Sequence, residues 1–295
     1  MISILFIHWH VNPVIFQAGF LSLRYYSILF ALGILFAYIF LQKIFLKENM
    51  GGMVFNKLAL YIGVGTIAGA RLGHCLFYEP DYFLRHPLEI VLPWQGIPFS
   101  DNFVFTGYQG LASHGGAIGI FIGSYLFSKK YSYKLLYILD RLCLVIPLTG
   151  AMIRLGNLMN SEIIGKASNV SWAFVFENID FIPRHPAQLY EAILYSSLFF
   201  ALRYLYGNKA ANYLSGTMFG WFCIGIFSIR FFIEFFKANQ ETFESHLILN
   251  MGQLLSIPFI VIGVFFLCRE FRHREMVRST KNKINDLMQL PKTIK

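Results

Sequence analysis

Charged residues are scarce in this chain of 295 residues. Lys, Arg, Asp and Glu make up only 14% of it, whereas hydrophobic residues make up 56%. Soluble domains carry about 25% charged residues, so the composition favours an integral membrane protein over a soluble one. The 32 phenylalanines suit helix surfaces that face lipid.

Cysteine is also rare, and several catalytic motifs are absent. The four cysteines lie within or beside apolar runs, without CxxC spacing or a histidine at metal-ligand spacing. We therefore expect them to be small buried side chains, and we expect no metal site. HExxH, GxSxG and Walker sequences are missing, so a metalloprotease, a serine hydrolase and a nucleotide-driven enzyme lack support. The first positive charge is Arg24, too late for a cleavable signal, so the first helix is expected to act as its own insertion signal.

Seven apolar segments predict an all-α membrane protein with about seven transmembrane helices. The segments are approximately 19–42, 54–78, 112–128, 135–153, 187–206, 214–236 and 250–268. Residues 1–268 would then form a single polytopic membrane domain, with longer loops near 79–111 and 154–186.

The distribution of Lys and Arg predicts the orientation. Seventeen of the 25 lie in one set of loops and in the tail, and eight lie on the other side or in the adjoining halves of the helices. Because cytoplasmic loops carry the excess of Lys and Arg, we expect the N-terminus outside and the C-terminus in the cytoplasm. The basic tail, 269–295, is expected to lie against anionic lipid headgroups. The net charge of +9 would also suit nucleic acid, but this distribution favours the membrane.

Polar and charged residues also lie within or beside the apolar segments, toward the predicted outer leaflet. They are Arg71, His114, Arg154, Asn157, Asn160, Glu162, Arg230 and Glu234. One interpretation is internal pairing, of Arg230 with Glu234 and of Arg154 with Glu162. The other is an excess of positive charge that binds an anion, and a phospholipid phosphate is the obvious one. The gathering at one depth favours the anion, because arginine grips phosphate oxygens bidentately.

His114 opens a His-Gly-Gly run with Gly115 and Gly116. The two glycines would admit close approach of a backbone or a ligand, with exposed amide groups. A membrane histidine is often only a structural hydrogen bonder. The adjacent glycines and the basic surroundings favour a functional role here.

Five motifs in this order resemble the prolipoprotein diacylglyceryl transferases of bacterial inner membranes, over about residues 20–268. The motifs are His114–Gly119, Arg154–Gly165, His185–Glu191, Arg230–Glu234 and Met251–Ser256. Tyr26 matches the family's tyrosine in the first helix. Ile153 departs from the family's usual glycine, and Ile226 departs from its usual tyrosine.

The resemblance implies transfer of the diacylglyceryl group from phosphatidylglycerol to the thiol of the lipobox cysteine in a prolipoprotein signal peptide. Glycerol phosphate would be released, and no cofactor, metal or nucleic acid would take part. His114 is the candidate base for the thiol, and Arg154 and Arg230 would stabilise the leaving phosphate. The implied substrate-binding residues are Tyr26, Arg71, Gly115, Gly116, Asn157, Asn160, Glu162, Gly165 and Glu234.

Two other functions remain open. A lipid or anion transporter could use the same arginines, although such proteins often contain inverted repeats and none is apparent here. A non-catalytic scaffold with paired charges would leave the His-Gly-Gly run unexplained.

Overall fold

The computed structural model describes residues 6–18, 21–92, 94–95, 103–105, 110–209, 213–238 and 248–288. Helices α1 to α10 are Tyr25–Lys47, Gly52–Phe77, Pro80–Arg85, Leu88–Val91, Ser113–Tyr131, Leu135–Leu142, Ile146–Met159, Ala187–Lys209, Thr217–Ile233 and Met251–Met288. Strands β1 to β7 are Ile7–Trp9, Val14–Ala18, Leu21–Arg24, Trp94–Gln95, Val104–Phe105, Phe174–Phe176 and Pro183–Arg184. The predicted loop 79–111 and the basic tail lie partly outside the described residues.

Each of the seven predicted apolar segments contains a helix, although the first also contains strand β3, and this confirms a mostly helical integral membrane protein. Within the described part of the chain, three helical stretches are long and apolar enough to cross a membrane: α1, α2 and Met251–Thr280 of α10. The broken pair α6 and α7 makes a fourth if it counts as one span. The break precedes Pro147, which has no backbone N–H to continue a helix. The count of seven spans and the orientation stay predictions.

The chain divides into two compact units. The first unit comprises Met1–Leu41 and Asp140–Lys295, and the second comprises Gln42–Leu139. In the first unit, α7 packs on α8, α8 on α9, and α9 on α10.

A three-stranded sheet in the order β1-β6-β7 adjoins the end of α7 in the first unit. Its small core contains Leu158, Phe174 and Phe176, with Trp9 packed against them. The indole Nε1 of Trp9 also donates a hydrogen bond to the Leu158 carbonyl at 3.1 Å. The sheet therefore anchors the segment in which the Arg154 motif continues beyond its helix.

In the second unit, α2 and α5 approach each other through glycines spaced four residues apart. They are Gly65, Gly69 and Gly73 of α2, and Gly115, Gly119 and Gly123 of α5. A Cβ atom at Gly73 would lie 2.8 Å from the Gly115 Cα atom. Residues four apart share one helix face, so only glycine permits this separation of the two backbones. Elsewhere in the unit, Phe45, Phe55 and Phe127 are buried.

The expectation of buried cysteines is correct at three positions and wrong at one. Cys75, Cys143 and Cys223 are buried, whereas Cys268 is exposed on α10. Lipid is as apolar as a side-chain core, so an apolar residue of a membrane helix need not be covered by protein.

Candidate active site

Arg154 on α7 is held by a carboxylate from α8. Its Nε atom lies 2.6 Å from Glu191 Oε2, and its Nη1 atom donates a hydrogen bond to Asn157 Oδ1 at 3.2 Å. The Glu191 carboxylate is fully buried. The alternative interpretation, in which Arg154 pairs with Glu162, does not hold, because the first turns of α8 supply the carboxylate partner instead.

Glu162 lies in a tight turn just beyond α7, and two amides hold it. Asn157 Nδ2 donates to Glu162 Oε2 and Asn160 Nδ2 donates to Glu162 Oε1, both at 3.1 Å. Ser161 and Ile163 flank it with φ angles of 56°, in the left-handed region that costs non-glycine residues energy. Gln188 of α8, whose side chain is fully buried, donates to the Glu162 carbonyl at 2.5 Å. The predicted set of two asparagines and a glutamate thus lies together.

Lys237 joins this cluster to the end of α9. Its ammonium lies 2.9 Å from Glu191 Oε1 and 3.0 Å from Glu234 Oε1, and the residue is 2% exposed. Arg230 Nε is 4.0 Å from the same Glu234 oxygen, with no hydrogen-bond partner among the residues that the structure describes. We call this alternating series of Arg154, Glu191, Lys237, Glu234 and Arg230 the charge chain.

The charge chain contains three cations and two carboxylates, so its formal net charge is +1. Glu162, held by amides nearby, balances that charge. With Glu162 counted, the formal charges of this group sum to zero, so the group as a whole lacks the positive excess expected from the sequence. The least tightly paired cation in it is Arg230, whose side chain is 31% exposed and whose carboxylate partner is at the limit of an ion pair. Arg230 has the most freedom to bind an anion.

Tyr26 and Gly165 contribute to the same unit by packing. The ring of Tyr26 on α1 lies against Gly156 of α7, where a Cβ atom would come within 2.7 Å of the ring. Gly165 lies between two backbone segments. Its N–H donates to the His185 carbonyl at 3.0 Å, and an added Cβ atom would lie 2.8 Å from the Phe236 carbonyl oxygen. Gly165 is also paired with Lys237 in an isolated β-bridge, so it fixes the backbone that carries this lysine.

A hydrogen-bond network at the start of α8 orients His185, which precedes that helix. Trp172 Nε1 donates to the Tyr190 hydroxyl at 2.7 Å, and this hydroxyl lies 3.1 Å from His185 Nδ1. Indole N–H can only donate, so the tyrosine can give its own proton to Nδ1. Burial lowers the pKa of His185, which favours the neutral ring that accepts this proton.

The remaining predicted site residues belong to the second unit. His114 is exposed in the first turn of α5. Gly115 is buried, and a Cβ atom there would lie 2.9 Å from the Gly73 Cα atom. A Cβ atom at Gly116 would make only ordinary van der Waals contacts. The observed reason for glycine at position 115 is thus helix packing.

Arg71 binds backbone carbonyls. Its Nη2 atom donates to the Glu89 carbonyl at 2.6 Å and its Nε atom donates to the Ile90 carbonyl at 3.1 Å. The guanidinium also lies over the Phe83 ring at 4.8 Å. These contacts give Arg71 a structural role in attaching α3 and α4 to α2.

No role for Glu191, Gln188 or Lys237 was predicted from the sequence. Glu191 could have been found, because it is the single acidic residue in the apolar segment 187–206 and such residues in membrane helices are costly unless paired. Lys237 follows the apolar run and resembles an ordinary loop charge, so its burial carries no sequence signal.

Comparison with known proteins gives a consistent result. The family model described as prolipoprotein diacylglyceryl transferase matches residues 13–269. Three similar proteins bear the name phosphatidylglycerol–prolipoprotein diacylglyceryl transferase. The Bacteroides fragilis protein is 47% identical over 264 residues, which cover 90% of this chain and 95% of that protein. The Tolumonas auensis protein is 42% identical, covering 87% and 94%, and the Chloroherpeton thalassium protein is 40% identical, covering 93% and 98%.

Proposed function

This chain belongs to the prolipoprotein diacylglyceryl transferase family, and on that premise we propose that it transfers the diacylglyceryl group of phosphatidylglycerol to the lipobox cysteine of prolipoproteins. The observation that carries this proposal within the structure is the charge chain. It holds two partly buried arginines in one network and leaves Arg230 with the weakest pairing. That arrangement suits recognition of a phosphodiester anion.

The reaction balances as a substitution at carbon. The cysteine sulfur attacks the glyceryl carbon that bears the phosphate, a carbon–sulfur bond forms, and the carbon–oxygen bond breaks. The glycerol phosphate leaves with the electron pair. Negative charge builds on the phosphate oxygens, and Arg154 and Arg230 stabilise it in surroundings of low dielectric constant.

His114 is the proposed base. A cysteine thiol has an ordinary pKa near 8.5, so its proton must be removed before sulfur is a strong nucleophile. His114 is exposed at the start of its helix, which suits access to a substrate thiol. The released proton passes to the imidazole and from there to solvent.

Asn157, Asn160 and Glu162 are proposed to contact the glycerol headgroup beside Arg154, and Tyr26 packs next to them. Their hydrogen bonds already form one connected group. Gly115, Gly165 and Arg71, which the sequence analysis placed at the substrate, are supported as structural residues instead.

The cellular setting follows from the family and from the charge pattern. We propose a multi-pass protein of the bacterial inner membrane, with seven spans, the N-terminus outside and residues 1–268 as one catalytic domain. The proposed partners are phosphatidylglycerol, surrounding membrane lipids and the signal peptide with its lipobox.

The test uses the purified protein with phosphatidylglycerol and a fluorescent lipobox peptide, and it measures both lipidated peptide and released glycerol phosphate. His114→Asn and Arg154→Ala are expected to abolish transfer, and Arg154→Lys is expected to restore little because an ammonium cannot grip phosphate bidentately. Lys130→Met, at an exposed position on α5, is the control. Full activity of both the His114→Asn and Arg154→Ala variants would contradict the assigned roles. A transporter would release no glycerol phosphate.

A further inference from the structure

Backbone contacts fix Lys237 in a position between two carboxylates. Its bridge to Gly165 and the hydrogen bond from the Ala238 N–H to the Ile164 carbonyl, at 3.1 Å, attach this stretch to the segment beyond α7. The side chain reaches Glu191 and Glu234 at 2.9 and 3.0 Å. The position of the ammonium is therefore set by the fold.

Glu234 has little capacity left for another partner. Lys237 binds its Oε1 atom, and Asn250 Nδ2 donates to its Oε2 atom at 3.2 Å. The backbone of Gly252 lies against the carboxylate, because a Cβ atom added there would come within 2.6 Å of its carbon. These three neighbours restrict both oxygens of Glu234.

Arg230 and Glu234 are four residues apart, a spacing at which oppositely charged side chains of a helix normally pair. Their closest described approach, Arg230 Nε to Glu234 Oε1, is nevertheless 4.0 Å. Lys237 is 1 Å closer to that same oxygen, at 3.0 Å. The lysine thus competes with the arginine for one carboxylate.

We propose that Lys237 is a positioning residue that keeps Arg230 available for the substrate phosphate by occupying Glu234. This inference rests on the proposed transferase function. Lys237 acts through its neighbours, because it is 2% exposed and both of its carboxylate partners are protein groups. It also shares Glu191 with Arg154, so it restrains the partners of both proposed catalytic arginines.

Removing the ammonium changes the charge chain in a definite way. Its formal net charge falls from +1 to zero, with two arginines facing two carboxylates. Arg230 then closes on Glu234 as an ordinary ion pair, while Arg154 stays on Glu191. A phosphodiester would have to displace a carboxylate from arginine, which is costly where the pair is partly removed from water.

The experiment compares Michaelis constants for phosphatidylglycerol in mixed micelles, at saturating lipobox peptide. Lys237→Met is expected to raise KM for the lipid about tenfold or more, the factor for losing roughly one ion pair, with KM for the peptide unchanged. Lys237→Arg keeps a cation between the carboxylates and is expected to retain most of the affinity. Lys166→Met is the matched control, because Lys166 is an exposed lysine on the adjoining backbone segment.

The decisive variant combines Lys237→Met with Glu234→Gln. Removing the carboxylate frees Arg230 again, so the double variant is expected to recover a large part of the lost affinity. A network needed only for folding predicts the opposite, since the double variant removes two buried partners. Recovery in the double variant therefore supports competition, and a double variant no better than Lys237→Met overturns it.

Glu234→Gln alone provides a second test of the inference in case the Lys237→Met variant does not fold. It leaves Lys237 bound to Glu191 and leaves Arg230 unpaired, so its KM increase is expected to be smaller than that of Arg230→Ala; an equal increase overturns the inference. Wild-type protein separates the two proposals. Absence of any transfer by the wild type refutes the proposed function, whereas normal wild-type transfer with an unchanged Lys237→Met refutes only the role of Lys237.

Discussion

Substitutions in the glycine interface between α2 and α5 test whether Gly115 serves helix packing or contacts the substrate. Gly69→Ala adds a methyl group that would overlap the Gly115 carbonyl oxygen and lie 2.8 Å from the Gly119 Cα atom. Gly115→Ala adds a methyl group from the opposite side, 2.9 Å from the Gly73 Cα atom. Gly63→Ala is the control on the same helix, because nothing lies within 4 Å of its added Cβ atom.

The magnitude follows from these distances. Ordinary contacts of a Cβ atom begin at about 3.4 Å, and a carbonyl oxygen of the facing helix lies closer to each added Cβ atom than the Cα atoms do, so both interface variants must separate the two backbones by more than half an ångström. Overpacking of this kind destabilises a protein by about 1–3 kcal/mol. We expect a cost near the upper end of this range, because the atoms in the way belong to the backbone and cannot rotate aside. Replacing glycine by alanine also stabilises a helix by about 1 kcal/mol, which offsets part of the packing cost. We expect a net loss of about 1–2 kcal/mol in each interface variant and a gain of up to about 1 kcal/mol in the control.

The assay combines thermal unfolding in detergent with the transferase reaction. The interface variants are expected to unfold about 2–6 °C below Gly63→Ala, because 1 kcal/mol lowers the unfolding temperature of a chain of this length by about 2 °C. Because His114 precedes Gly115, separation of the helices displaces it, and both interface variants are expected to lose activity to a similar extent.

Two outcomes would refute this reasoning. Equal unfolding temperatures for Gly69→Ala and Gly63→Ala would contradict the close packing. Loss of activity in Gly115→Ala with full activity in an equally destabilised Gly69→Ala would show that Gly115 contacts the substrate, as the sequence analysis expected.

Two further predictions concern segments outside the proposed catalytic groups. Arg71→Gln removes the charged donor to the carbonyls of α4, so amide hydrogen exchange over 80–91 is expected to rise roughly tenfold; unchanged exchange would contradict the structural role. Arg184 donates Nε and Nη2 to the Asp180 carboxylate, which holds the pKa of Asp180 below its ordinary value. The stability from this pair is present above the unfolded pKa, about 3.9, and is lost as the pH falls below it. Asp180→Asn is therefore expected to increase exchange over 177–184 at pH 7 and to abolish the acid-induced increase that the wild type shows, and an identical pH profile in the variant would contradict the assignment.

The membrane helices could be predicted because lipid imposes a simple rule on composition. Every backbone polar group in the bilayer must be satisfied within the segment, so long apolar runs become helices, as α1, α2 and α10 illustrate. The break before Pro147 was not predicted. It is consistent with the properties of proline, which fits the first turn of a new helix but interrupts the interior of a continuous one. The short strand β1 pairs in parallel with β6, more than 160 residues away, and such distant pairing leaves no local pattern in the sequence.

The candidate site was predictable to the extent that its residues are polar in apolar surroundings. Arg154, Asn157, Asn160 and Glu162 were identified in this way, and their connection is confirmed by the hydrogen bonds. The choice of partner was not predictable. Glu162 is closer in sequence to Arg154 than Glu191 is, but the turn at Ser161 directs it to the asparagines, and only tertiary packing brings α8 to the arginine.

Under the proposed function, the charge chain would allow the protein to keep arginines ready for a phosphate while the site is empty. A buried cation without a counter-ion is costly, so Arg154 and Lys237 each need a carboxylate when the site is empty. A full partner for Arg230 would be equally stabilising, but it would compete with the substrate. Sharing two carboxylates among three cations would resolve this conflict, because three close ion pairs support the fold and Arg230 keeps only a weak one. On this proposal, stability and substrate binding would depend on different members of the same network.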